Sequence, residues 1–335
     1  MTGGIKLTQF IEPDDKLLGA SFDAFLSRLG GPALLHIKGQ NSARCRVVVT
    51  LLHGNEPSGL KAIYRLLQSK VLPATDIKVI IGSVIAARTA PMFSNRMLPG
   101  QRDLNRCFNG PTNDLQGQLA KTIAAQVNET RPEAVIDVHN TSGSGPAFCV
   151  SICEQPDHVA LASHFCRRLI HTDIRLGSIM EQDFGCPIIT VEAGGAQDEE
   201  ADENAYRGLL SYFVCDDVFT PLANVELLRH PRRLELKVGT TLNFADKDCE
   251  DFQITMSQDV EKHNFGVTQP SDILGWTEDS SLSCFKLDNH ANQVSDFFHV
   301  DKGQLKTTQA LKLFMVTTKI AIAKSDCLFY FVEDQ

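Results

Sequence analysis

Short apolar runs alternate with stretches of helical periodicity through the first two thirds of the chain. Residues 34–37, 46–52, 77–81, 134–138, 146–152 and 187–191 are apolar runs of strand length, several rich in Val and Ile and bounded by turn residues. Runs of that kind mark strands buried on both faces of a sheet. Between them, Phe22, Phe25, Leu26 and Leu29 recur at helical spacing and stop at Gly30-Gly31-Pro32. Leu60, Ile63, Leu66 and Leu67 predict a helix over 57–69, opened by Pro57, because proline in a first helical turn forfeits no hydrogen bond. Leu115, Leu119, Ile123 and Val127 predict another, which must end before Arg131-Pro132. Residues 157–170 and 199–213 are read as two further helices. Strands alternating with helices predict an α/β fold: a mixed, mainly parallel sheet flanked by helices.

Two regions depart from this rhythm. From residue 83 to 110 no periodicity is visible, and long irregular segments of compact domains are often functional. Beyond residue 222, Leu234, Leu236 and Val238 alternate with Glu235 and Lys237, residues 252–256 and 282–287 form short runs, and 311–332 reads as three strands. This predicts a smaller antiparallel β domain. The expected division is therefore 1–222, carrying the chemistry, and 223–335. The acidic loops at 246–251 and 288–301 read as solvated surface.

Composition narrows the class. With 335 residues, 43% of them hydrophobic, the chain can bury a sizeable core and is expected to make two domains. No apolar run approaches the roughly 20 residues that a membrane helix needs, and residues 1–10 show no secretory pattern, so a cytoplasmic protein is expected. The ten cysteines are scattered without a CxxC pair and read as small core hydrophobes. A net charge of −9 speaks against a nucleic-acid or anionic-membrane partner. Any anionic substrate would then have to be held by local cations.

The candidate chemistry lies where the apolar runs stop. Residues 46–52 run into His53-Gly54-Asn55-Glu56, residues 134–138 into His139, and residues 187–191 into Glu192. Two imidazoles and a carboxylate make a three-ligand site with an open fourth position, the arrangement of hydrolytic rather than structural zinc. A further carboxylate off the metal completes hydrolytic chemistry. An HxxE pair alone is common, and a single histidine after a strand is ordinarily a satisfied core residue. What sets these four apart is their shared place at the carboxyl edge of one sheet, where α/β proteins bind ligands. Asp137, two residues before His139 on a strand, faces the same way, as an orienting partner for a zinc histidine or as a buried carboxylate bonded to loops.

Four motifs in order, His53-Gly-Asn-Glu56, Asp103-Leu-Asn105-Arg106-Cys-Phe108, Ile136-Asp-Val-His139-Asn140-Thr and Val191-Glu192-Ala-Gly-Gly195, resemble those of the succinylglutamate desuccinylase and aspartoacylase family, itself similar to the zinc carboxypeptidases. The resemblance covers roughly residues 45–215 and implies one zinc ion per chain held by His53, Glu56 and His139. It implies Glu192 as the general base, and an arginine shortly before Asp103-Leu-Asn105-Arg106 as a partner of zinc in stabilising the oxyanion. Arg96 is chosen for that role over Arg88 and Arg102. Asn105 and Arg106 resemble the pair that binds the substrate carboxylate. The implied activity is zinc-dependent hydrolysis of the acyl-amide bond of a small anionic N-acyl amino acid or related compound, by a chain compatible with a homo-oligomer. Rival readings are a carboxypeptidase-like peptidase or esterase on the same scaffold, and a catalytically silent zinc-containing binding protein. A Glu192 kept beside three ligands speaks against the last. One departure stands out: aspartoacylase has a substrate-binding arginine ten positions before its catalytic glutamate, where this chain has Gln182. Arg175 lies seven residues earlier.

Overall fold

A computed structural model describes residues 5–141, 143, 145–288, 292–325 and 327–334. The chain divides into two compact units, Met1–Leu227 and Leu228–Gln335; the expectation had placed the division between 222 and 223.

The first unit is built on a nine-stranded sheet, whose last strand runs across the division at Leu227. In chain order its elements are β1 (Thr8–Ile11), α1 (Asp15–Leu18), α2 (Phe22–Leu29), β2 (Ala33–Ile37), β3 (Asn41–Thr50), α3 (Ser58–Gln68), β4 (Thr75–Ile81), α4 (Val84–Arg88), α5 (Leu115–Thr130), β5 (Val135–Thr141), β6 (Phe148–Ser151), α6 (Pro156–Ser163), β7 (Arg168–His171), β8 (Ile188–Gly195), α7 (Glu199–Val214) and β9 (Glu226–Arg229). The strand order is β1-β2-β4-β3-β5-β8-β6-β7-β9. The central strands β4, β3, β5 and β8 run parallel, while β2 joins β4 and β6 joins β8 antiparallel. The sheet is thus mixed and mainly parallel, as the patterning predicts.

Both faces of this sheet are covered, which is why its central strands read as unbroken apolar runs. On β3, Val48 faces one core with Phe25 and Leu26 of α2, Ile63 of α3 and Leu209 of α7. Val47 and Val49 face the other, with Leu119, Ile123 and Val127 of α5. Each such side chain removed from water contributes roughly 1.5–3 kcal/mol. Helix α5 starts where the Asp114 carboxylate accepts from the Gly117 N–H at 2.8 Å, and stops at Arg131, whose φ is 49°. Helix α3 lies hard against the sheet at Gly59, where a Cβ would come within 2.2 Å of Thr50 Oγ1; no other residue fits there.

Several boundaries differ from the patterning. The strand expected over 46–52 stops at Thr50, and Leu51 turns to φ 54°. Strands β5 and β8 instead run on through Thr141 and Gly195, so His139 and Glu192 lie within paired strands and not just beyond them. Pairing between β5 and β8 carries the ladder past the end of the apolar runs. The helix expected over 157–170 ends at Ser163, because residues 168–171 pair in parallel with β6. A short apolar run is ambiguous between helix and strand, and here sheet pairing decides it. The aperiodic segment 83–110 contains α4 and a single 3-10 turn at Leu104–Arg106.

The second unit contains β10 (Arg232–Leu236), β11 (Leu242–Ala245), β12 (Ile254–Ser257), β13 (Val267–Thr268), β14 (Gly275–Thr277), β15 (Phe285–Leu287), β16 (Phe298–Asp301), β17 (Gln304–Thr307), β18 (Leu311–Phe314), α8 (Ile320–Ser325) and β19 (Phe329–Glu333). They form two five-stranded sheets, antiparallel apart from the β11–β12 pair. Phe285, Phe298, Phe329 and Phe331 share their core. The three strands expected over 311–332 are two, with α8 between them, since the alternating Ile and Ala of 320–323 suit one helical turn as well as a strand.

Candidate metal centre

The turn from β3 into α3 carries His53 and Glu56. It is held from outside by the Gly54 N–H, which donates to the Arg96 carbonyl at 2.9 Å, and a Cβ on Gly54 would meet the Asn95 carbonyl at 2.6 Å. The left-handed backbone of Leu51 begins this turn, and a non-glycine residue held there is strained, as is common where a site is being shaped. The N-terminus of α3 has no capping side chain of its own. Asn140, at the end of β5, substitutes: its Oδ1 accepts from the Ser58 N–H at 3.1 Å, and its amide donates to Ser58 Oγ and the Gly194 carbonyl, both at 2.9 Å. Gly194, at φ 119°, supplies a conformation that side chains rarely adopt. One amide thereby locks the ends of β5 and β8 to the start of α3.

His53, Glu56 and His139 are all buried, with one potential ligand atom of each within 4.8 Å of the others. Glu56 Oε1 is 2.8 Å from His53 Nδ1, Oε2 is 2.7 Å from His139 Nδ1, and the two Nδ1 atoms are 3.1 Å apart. The outer ring nitrogens meet carboxylates: His53 Nε2 lies 2.9 Å from Asp103 Oδ1, and His139 Nε2 lies 2.8 Å from Asp137 Oδ2. Carboxylates placed there take the Nε2–H protons and leave the Nδ1 atoms for a cation. Two Nδ1 atoms and a carboxylate would then converge on one ion, and in its absence a proton on His139 Nδ1 bridges to Glu56. The donor set fits a zinc ion, for which His nitrogen and carboxylate oxygen with carboxylate partners behind the histidines are the usual ligands.

The electrostatics point the same way. Burial alone would raise the Glu56 carboxyl, but the His53 and His139 charges and hydrogen bonds hold it below the usual carboxylate range. Asp103 is likewise held low against its burial by His53, Arg96 and Arg106. Burial would lower His139, yet Asp137 and Glu56 raise it well above an ordinary histidine. The buried Asp137 keeps its second oxygen, Oδ1, without a hydrogen-bond partner among the described residues. Several carboxylates around two imidazoles leave a surplus of negative charge in a buried place, which a cation relieves.

Glu192 stands opposite His139 in the β5–β8 register, so both side chains leave the same face. Among the described residues its carboxyl makes no hydrogen bond or ion pair. Burial, with Glu56 and Asp137 nearby, pushes it up to about 7, even against the His139 and His53 charges. A free carboxyl with that proton affinity is poised to take and return a proton at neutral pH.

Arg96 enters the cluster: Nη1 donates to Glu56 Oε1 at 3.2 Å and Nε to Asp103 Oδ2 at 2.9 Å. Arg102 turns away onto Asp114, with its Nε at 2.5 Å from Oδ2, and Arg88 reaches Gly30 and Ser27. Asn105 is buried, its Oδ1 accepting from the Ile179 N–H at 3.0 Å and its Nδ2 lying 3.3 Å from His139 Nε2. Arg106 is exposed and donates to the Asn105 carbonyl at 3.0 Å. Gln182 is spent on Asn109, its Nε2 donating to Oδ1 at 2.8 Å, and Arg175 points into the carbonyls of Thr172 and Ile174.

Patterning had passed over Asp103 and Asn140. The Asp103 carboxylate joins His53 and Arg96 and also accepts from the Asn105 N–H at 2.9 Å. Its signal was the requirement that a ligating histidine find an acceptor for its second nitrogen, which the Asp of Asp103-Leu-Asn105-Arg106 meets.

A mixed sheet with a buried His–Glu–His donor set at the carboxyl ends of its central strands defines an α/β protein with a cluster that could hold a metal ion. Within that class, residues 46–208 match the Succinylglutamate desuccinylase/Aspartoacylase catalytic domain. The match shows that this segment resembles that catalytic domain, in agreement with the four ordered motifs. No curated protein matches the chain in sequence. In fold it is similar to a succinylglutamate desuccinylase/aspartoacylase from Rhodobacter sphaeroides (TM-score 0.54, 15% identity, 85% of this chain and 84% of that one). It is also similar to succinylglutamate desuccinylase from Vibrio cholerae (TM-score 0.53, 14% identity, 89% and 96%) and to murine aminoacylase 3 (TM-score 0.53, 14% identity, 88% and 96%). No helix among the described residues is long and apolar enough to cross a membrane.

Proposed function

We propose that this chain is a zinc-dependent hydrolase that cleaves the acyl-amide bond of a small anionic N-acyl amino acid or related compound. The observation that carries the reading is the convergence of His53 Nδ1, Glu56 and His139 Nδ1, with the unbonded Glu192 carboxyl on the neighbouring strand. His53, Glu56 and His139 would hold one zinc ion, which supplies Lewis acidity: a water of lowered pKa and a polarised scissile carbonyl.

The remaining work belongs to the chain's own side chains. Glu192 accepts the proton of the attacking water and returns it to the leaving amine, a shuttle that needs a carboxyl whose pKa lies near the working pH. Arg96, already beside Glu56, places a fixed guanidinium where negative charge develops on the carbonyl oxygen. Arg106 offers its exposed guanidinium to a substrate carboxylate, and Asn105 is the second member of that pair, held in place by Ile179. Asp103 and Asp137 orient the two histidines. Catalysis is assigned to residues 1–222 and no chemistry to 223–335. Ten free thiols fit the reducing cytoplasm proposed for the chain. The test is a hydrolysis screen of N-acyl amino acids with zinc-loaded protein, metal-stripped protein and Glu192→Gln in parallel. Turnover that depends on neither zinc nor Glu192 overturns the reading.

A further inference from the structure

Two cysteines that the candidate centre does not use lie side by side near the strand that carries Glu192. Cys149 is in β6, whose antiparallel pairing with β8 sets it opposite Val191 and sets Phe148 opposite Glu192. Cys166 lies between α6 and β7, and β7 runs parallel to β6 with Leu169 opposite Cys149. The two Sγ atoms are 3.4 Å apart, which is contact distance for thiols. A disulfide needs them to close to about 2.05 Å.

The two sulfurs differ in surroundings. Cys149 is fully buried, whereas Cys166 is partly exposed. Burial raises the Cys149 thiol well above its ordinary range. The Cys166 thiol is lowered, first by its hydrogen bond with Cys149, against burial, and then by the backbone and charge of Arg168. A more acidic sulfur on a half-buried residue, in contact with a fully sequestered one, is the arrangement of an attacking and a resolving cysteine.

We propose that Cys149 and Cys166 form a redox-active pair, oxidised by a hydroperoxide to a disulfide that ties β6 to the turn entering β7. The Cys166 thiolate attacks the O–O bond of the hydroperoxide, taking the terminal OH as a sulfenic acid while the alcohol or water leaves with the thiol's proton. Cys149 sulfur then attacks the sulfenic sulfur. An S–S bond forms, the S–OH bond breaks, and the hydroxyl departs as water with the Cys149 proton. Two thiols are oxidised by two electrons and one peroxide is reduced. A dithiol reductant reverses the step by exchange. The crosslink closes a loop that contains α6. Neither the metal nor deacylation takes part, so the pair stands or falls separately from the proposed activity.

The test treats the full chain with graded hydrogen peroxide, alkylates the remaining thiols and maps the peptides by mass. The expected result is a crosslinked peptide pair carrying Cys149 and Cys166, lighter by about 2 Da than the two reduced peptides and restored by dithiothreitol. Cys149→Ser should leave Cys166 as a sulfenic acid that dimedone captures, whereas Cys166→Ser should leave Cys149 reduced at the same dose. Both cysteines still alkylatable when the half-buried Cys153 and Cys215 are already oxidised overturns the pair. Equal oxidation of Cys149 with and without Cys166 overturns the order of attack.

Discussion

His139 and Glu192 are direct register partners on the parallel strands β5 and β8, with their side chains on one face of the sheet. The imidazole nitrogens lie 2.7 Å from Glu56 and 2.8 Å from Asp137, while the Glu192 carboxyl makes no hydrogen bond among the described residues. Glu192→Gln changes a proton acceptor and almost no volume. It should keep fold and zinc content and lower kcat by about 10² to 10⁴, the usual worth of a positioned acid or base. Native turnover by this variant on an established substrate would remove Glu192 from the mechanism.

Asp137→Asn and Asp103→Asn withdraw the acceptor behind one histidine each. Either should weaken zinc binding by about 10- to 100-fold, read by competition with a chromophoric chelator. Stripping the metal should abolish turnover and lower the melting temperature. Zinc at about 100 times its Kd adds about 2.7 kcal/mol to a state that alone binds it. Unchanged zinc affinity in both variants argues against Nδ1 ligation.

The two arginines of the aperiodic segment should separate cleanly. Arg96→Ala removes a guanidinium beside Glu56 and Asp103 and should cut kcat by about 10² to 10³, as loss of one oxyanion donor does. Arg102→Ala breaks a half-exposed ion pair with Asp114 and hydrogen bonds to the Gly110 and Pro111 carbonyls, none of them with Glu56 or Asp103, and should leave kcat unchanged. Steady-state kinetics on both variants decide it, and a reversed pattern would return the role to Arg102.

N-acetylaspartate should be a poor substrate. The position that holds an arginine in aspartoacylase is Gln182, hydrogen-bonded to Asn109, and the exposed Arg175 donates to carbonyls of its own loop. A desolvated carboxylate without its charged partner typically loses about 2 to 5 kcal/mol. Rates on N-acetylaspartate, N-succinylglutamate and N-acyl derivatives of neutral amino acids would be compared. A kcat/KM above about 10⁴ M⁻¹s⁻¹ for N-acetylaspartate refutes the expectation.

Away from the centre, Asp76 makes stability depend on pH. Against burial, its carboxylate is held below the ordinary range by the Gly39 N–H at 2.9 Å, His36 at 2.8 Å and Ser42 at 2.8 Å. Its folded pKa is lower than its unfolded one, so its contribution is complete above about pH 3.9 and is lost as pH falls through the folded value. Melting temperatures of native protein and Asp76→Asn should therefore differ most near neutrality and converge toward acid. A gap that stays constant with pH would refute this.

The sequence by itself determined the layers of the first unit and the identity of the cluster. Val47 to Val49 read as buried on both faces because α2, α3 and α7 cover one and α5 the other. His53, Glu56 and His139 were legible because a polar residue following a buried strand has few reasons to be there. Tertiary structure decided what depends on partners distant in sequence. Whether 168–171 is helix or strand rests on its pairing with β6, and 320–325 was equally ambiguous. Which arginine meets Glu56 is set by the path of the 83–110 loop, which carries no periodicity to read. The Asp103–His53 contact spans fifty residues, and the Cys149–Cys166 contact joins a strand to a turn that no spacing rule relates to it. Local patterning records which side chains must leave water, whereas pairing among polar groups depends on where the folded backbone brings them.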